Sequence, residues 1–154
     1  MNTPDSSRPV AVTWLGYGGL LPFALTALGV LLDAPHRLFW QQALLAYGAV
    51  ILSFVGALHW GFAMAEHDPV DARGRFAWSV VPALAGWVAL LLPMVWAQGY
   101  ALAAVVLIAA FVAHYIQDRQ LARQRTLLDW YLPLRLRLSS MACLCLATLA
   151  TTSP

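Results

Sequence analysis

Two histidines stand in stretches that are otherwise apolar enough to cross a bilayer. His59 lies in Gly56-Ala57-Leu58-His59-Trp60-Gly61 and His114 in Phe111-Val112-Ala113-His114-Tyr115-Ile116. Imidazole changes charge near neutral pH, and its neutral ring offers one donor and one acceptor nitrogen. Ionisable groups in a hydrocarbon slab are costly, so they mark ligand sites, proton paths or helix contacts. Asp118 follows His114 at a spacing of four, which puts the two on one helical face, where the carboxylate orients the ring and keeps it basic. The face of His59 carries Gly48, Leu52, Val55, Gly56 and Ala63. Small residues permit close backbone approach, so His59 should point at a neighbouring helix and not at lipid. Tyr17 beside Gly16, Gly18 and Gly19, together with Ser53, Ser79 and Arg135, completes the set of ligand or helix-contact candidates.

Three kinds of chemistry suit such a set. Two imidazoles on facing helices can hold a haem b iron, with His59 and His114 as the ligands. One histidine, a tyrosine and arginines beside an apolar cleft suit a quinone or a lipid head group. The simplest alternative is hydrogen bonding that locks a helix bundle. Catalysis finds little support, because the chain has no G-x-S-x-G elbow, no H-E-x-x-H helix and no P-loop. Cys143 and Cys145, two apart on a helix, face different ways and read as small core residues.

The elements that must position these residues follow from composition. The chain has 154 residues, 61% hydrophobic and 10% charged, with mean hydropathy +0.69. A soluble domain is about 45–50% apolar and about 25% charged, so this is an integral membrane protein. A net charge of +2 excludes a basic nucleic-acid binder. A span needs about 20 apolar residues, and five stretches qualify: 10–32, 43–65, 76–96, 100–117 and 134–152. The expected architecture is all-α, a single membrane domain of five transmembrane helices, with spans three and four joined as a tight hairpin.

Every cation is an arginine, and eight of the nine (Arg8, Arg73, Arg75, Arg119, Arg123, Arg125, Arg135 and Arg137) fall on one side of this topology, with Arg37 alone on the other. Cytoplasmic loops are enriched in Lys and Arg. The N-terminus is therefore expected in the cytoplasm and the C-terminus outside, with Arg135 and Arg137 snorkelling from the start of the fifth span. Residues 10–32 are too long an apolar run for a cleaved signal, and a multi-pass protein of a bacterial inner membrane is the expected setting. Trp14, Trp40, Trp78, Trp96 and Trp130 near span ends read as an aromatic belt. Glu66, His67, Asp68 and Asp71 beside Arg73 and Arg75 read as a solvated connector, and residues 117–137 as an interfacial amphipathic stretch.

Several stretches resemble a family. Trp14-Leu15-Gly16-Tyr17-Gly18-Gly19-Leu20-Leu21-Pro22 is similar to the first span of small membrane proteins of unknown function whose eukaryotic member is called transmembrane protein 69. Residues 47–61 with Ser53 and His59-Trp60-Gly61, residues 79–93 with Pro82 and Trp87, and Trp130-Tyr131-Leu132-Pro133-Leu134-Arg135 extend the likeness over most of the chain. The resemblance implies a five-helix membrane protein and directs attention to Gly16, Pro22, Ser53, His59, Trp60, Gly61, Pro82, Asp118 and Arg135. It brings no activity or cofactor. With so little chain outside the bilayer, the leading expectation is a non-catalytic accessory or assembly subunit, working with other membrane proteins or as a homo-oligomer. The alternatives are a quinone-, haem- or lipid-binding protein and a small transporter or proton conductor; the polar set gathers on the cytoplasmic side, which speaks against a continuous path.

Overall fold

The computed structural model describes residues 10–65, 69–124 and 129–151. The connector residues Glu66, His67 and Asp68, the Asp71 side chain, and Arg8 and Arg125 lie outside the described part. The described elements are α1 (Val10–Gly18), α2 (Leu20–Leu32), a 3-10 turn (Ala34–His36), α3 (Arg37–Met64), α4 (Pro69–Val95), α5 (Gly99–Gln124) and α6 (Tyr131–Thr151), with no strand among the described residues. Five spans result: Val10–Leu32, Ala34–Met64, Ala72–Val95, Gly99–Arg123 and Tyr131–Thr151.

The first span is broken between Gly18 and Leu20. Pro22 has no N–H to give the Gly18 carbonyl, and its ring crowds that carbonyl. The Tyr47 hydroxyl donates to the Gly19 carbonyl at 2.8 Å, tying the break to α3. At the far end of α2 the chain turns at once. Asp33 accepts from the Trp40 indole N–H at 2.9 Å and from the His36 backbone N–H at 3.4 Å. This local set starts α3 at Arg37, earlier than residue 43, because the side-chain bonds replace a loop. The tight hairpin between spans three and four is present: Gly99 N–H donates to the Trp96 carbonyl across the turn.

Helix α3 is the spine of the bundle and packs against α2, α4, α5 and α6. Its crossing with α4 is close because it uses small residues: a Cβ on Gly56 would lie 3.0 Å from Pro82 and from the Ser79 carbonyl. The interior is apolar, with Phe23, Leu44, Leu52, Leu107, Phe111 and Leu146 almost wholly buried. The outside is equally apolar: Leu15, Leu25, Phe54, Val105 and Leu144 are exposed. Water would penalise such a surface at roughly 25 cal/mol per Å², whereas lipid tails do not. Helix α5 runs on through Asp118 to Gln124, beyond the expected end at 117, because Leu121 continues the buried face of His114 and Asp118.

Candidate polar site at one end of the bundle

His59 lies near the C-terminal end of α3, His114 and Asp118 in the last turns of α5, Trp78 early in α4, and Tyr131 and Arg135 in the first turns of α6. The alternating direction of the helices brings all of them to the same end. Asp118 is the centre. It is 0% exposed and accepts three hydrogen bonds from two other helices: from α3, His59 Nε2 at 3.0 Å, and from α6, the Tyr131 hydroxyl at 3.1 Å and Arg135 Nε at 2.9 Å. Arg135 can only donate, and an isolated buried guanidinium or carboxylate would be prohibitively costly, so the two stand as an ion pair. An ionised carboxylate can only accept. His59 therefore carries its shared proton on Nε2.

His114 completes the cluster differently. Its ring meets the His59 ring edge to face, with centroids 4.8 Å apart. The Trp78 indole N–H donates to His114 Nδ1 at 3.2 Å, so the ring is neutral and its proton is on Nε2. That nitrogen faces Asp118 Oδ1 at 4.0 Å, beyond hydrogen-bond reach, in a fully buried position. Three donors already surround the carboxylate, which leaves the fourth held off.

Ligand atoms of His59, His114 and Asp118 lie within 4.8 Å of one another, the separation a metal site requires. The hydrogen-bond pattern fits a cation poorly. The inward nitrogens of both rings carry protons where a metal needs lone pairs, and Arg135 already balances the carboxylate. A haem is fitted no better, since the two rings touch directly and a macrocycle between them would have to force them apart.

Of the sequence candidates, His59, His114, Asp118 and Arg135 come together. Arg135 does not snorkel; it is 7% exposed because Asp118 holds it inside. Ser53 and Ser79 do not join: each hydroxyl donates to its own helix, to the Ala49 and Phe76 carbonyls. Tyr17 is 39% exposed on the first span. Sequence reading missed two members. Tyr131 shares the face of Arg135 at a spacing of four, a signal that was present. Trp78 carried none, as any tryptophan near a span end reads as an interface anchor.

Beside the cluster a cleft of about 440 Å³ opens between the α1–α2 span, α3 and α6. Its walls include Leu15, Gly16, Leu20, Phe23, Ile51, Val55, Leu58, Leu138 and Ala142, with Phe111 of α5 contributing. Among the described residues Arg135 is the one charged side chain in its lining, with Tyr131 and Ser139 nearby on α6.

Five apolar spans around a buried, charge-balanced cluster define a multi-pass helical membrane protein with a polar site at one end. Residues 8–151 match the family model described as a protein of unknown function, DUF3429, and the chain belongs to that family. It is similar to transmembrane protein 69 of Xenopus tropicalis, 39% identical over 88 residues, which cover 56% of this chain and 34% of that protein. The Mus musculus transmembrane protein 69 is 31% identical over 88 residues, covering 56% of this chain and 35% of that protein. The match thus spans about a third of those relatives' own length. No solved structure was found to match the chain.

Proposed function

We propose that the protein is a membrane-embedded binding protein that takes a lipid-soluble amphiphile into the cleft, tail among the apolar walls and head at Arg135. One observation carries this reading: among the described residues, the only charged one lining an otherwise apolar cleft is also the residue that closes the buried Asp118 network. The volume is in the range of small-molecule pockets, about 300–1,000 Å³, and a few placed polar groups in an apolar wall are their usual lining. Of the alternatives, a transport path is least supported, because Leu44, Leu52, Leu107 and Leu146 fill the bundle beyond the cluster. The arginines at the cluster end, Arg73, Arg119, Arg123 and Arg137 among them, favour a cytoplasmic placement of that end and of the N-terminus. A bacterial inner membrane remains our expectation for the setting.

The accessory-subunit reading is second, and it keeps one observation: nearly all described residues lie in the five spans, leaving little surface for independent chemistry. A single experiment separates the two. The full chain is purified from native membranes in gentle detergent and examined by native mass spectrometry, beside Leu138→Trp, which fills the cleft. The binding reading expects one stoichiometric small amphiphile, lost from the variant. A bulk-lipid mixture unchanged by the substitution would overturn it, and a stoichiometric protein companion without an amphiphile would favour the accessory role.

A further inference from the structure

We infer that the head group held at Arg135 is a neutral hydrogen-bond acceptor, a carbonyl, and neither an anion nor a cation; the inference rests on the cleft-binding reading above. The argument is one of charge and saturation. Asp118 and Arg135 cancel. His114 is neutral because Nδ1 accepts from Trp78, and His59 needs only its Nε2 proton to serve Asp118. The cluster therefore has no surplus positive charge to match an anion, and a charge brought unpaired into a dry site is strongly disfavoured. A cation fares no better, since both oxygens of the carboxylate are engaged and its side chain is 0% exposed.

Donors are what the cleft does offer. Arg135 spends Nε on Asp118 and has further N–H groups on the same guanidinium. Ser139, one turn along the same face of α6, is buried at the cleft wall with its hydroxyl. Tyr131 gives its proton to Asp118 and so adds no donor. Donors without net charge, at the end of an apolar slot, select a carbonyl on a hydrophobic tail. That carbonyl can belong to a quinone ring or to an ester, which is a shared recognition chemistry with two sources.

The test uses the full-length protein in phosphatidylcholine nanodiscs, titrated with a decyl-substituted benzoquinone, dioctanoylglycerol, decanesulfonate and decyltrimethylammonium. One neutral probe should bind saturably and about tenfold more tightly than either charged one, the factor one charge-assisted hydrogen bond supplies. The quinone and the glyceride tell ring carbonyl from ester carbonyl. Asp118→Asn leaves Arg135 unbalanced and should reverse the order in favour of decanesulfonate. Should that variant fail to fold, Ser139→Ala leaves the ion pair intact and should weaken the neutral probe by about fivefold. Decanesulfonate binding the wild type as tightly as the neutral probes, or both variants leaving every affinity unchanged, would overturn the inference while the cleft stands. No saturable binding by any probe, with Leu138→Trp behaving as wild type, would instead remove the cleft reading beneath it.

Discussion

Among the described residues two carboxylates each accept from an aromatic donor and lie beside histidine, one at either end, and they are built in opposite ways. Asp33 draws on residues close in sequence: Trp40 at 2.9 Å and His36 at 3.1 Å. Asp118 draws on His59 of α3 and on Tyr131 and Arg135 of α6 and is fully buried. The Asp33 side chain is 35% exposed. A local cluster in contact with solvent shapes a turn. A distant, dry one binds helices to one another, and a cleft opens beside it. Similar donors and acceptors thus do different work because of where their partners come from.

Breaking the buried member should cost most. Asp118→Ala leaves Arg135 charged and alone inside the bundle, and removing one partner of such a pair costs about 3–5 kcal/mol. Thermal unfolding in detergent should show a large fall or no folded protein, with partial recovery in the double variant that also replaces Arg135 by leucine. At the other end, a Cβ on Gly29 would collide with the Trp40 indole. Gly29→Ala should therefore displace the ring from Asp33 and cost about 1–3 kcal/mol, the usual range for overpacking, with a matching change in tryptophan emission. Tyr131→Phe keeps the shape and removes one of three donors to Asp118, for about 1 kcal/mol in the same unfolding assay.

The smallest effect belongs to pH at Asp33. The indole bond from Trp40, then His36, hold its carboxyl below the ordinary value of 3.8. A depressed folded value means that the stability it contributes is fully present above 3.8 and fades as pH falls through the lower, folded value. Asp33→Asn should flatten that part of the acid-unfolding curve and lower neutral stability by the same small contribution. An equally steep acid loss in the variant would show that the turn does not depend on this carboxylate.

The difference between the ends also explains what was legible in the sequence. The five spans were, since lipid demands long apolar runs and little else. His59, His114 and Asp118 stood out because ionisable groups are rare there. Arg135 stood among the candidates, yet it was also expected to snorkel, since its stem allows that and nothing local to α6 reveals that a carboxylate waits on α5. Trp40 and Trp78 were read as interface anchors, yet one closes the Asp33 turn and the other fixes the proton on His114. Their roles depend on which helices meet, and that is a property of the whole bundle. The boundary differences have the same origin: α5 extends to Gln124 with Leu121 buried on the face of His114 and Asp118.

The pairing of Asp118 with Arg135 also bears on how the protein is made. The carboxylate leaves the ribosome before its counterion, with the α5–α6 connection between them. Until α6 arrives, α5 would present an unmatched charge to the hydrocarbon, at a cost that discourages its entry alone. The two C-terminal spans therefore behave as one insertion unit. A chain truncated before residue 131 should leave α5 poorly integrated, although α5 is by composition as apolar as any span in the protein.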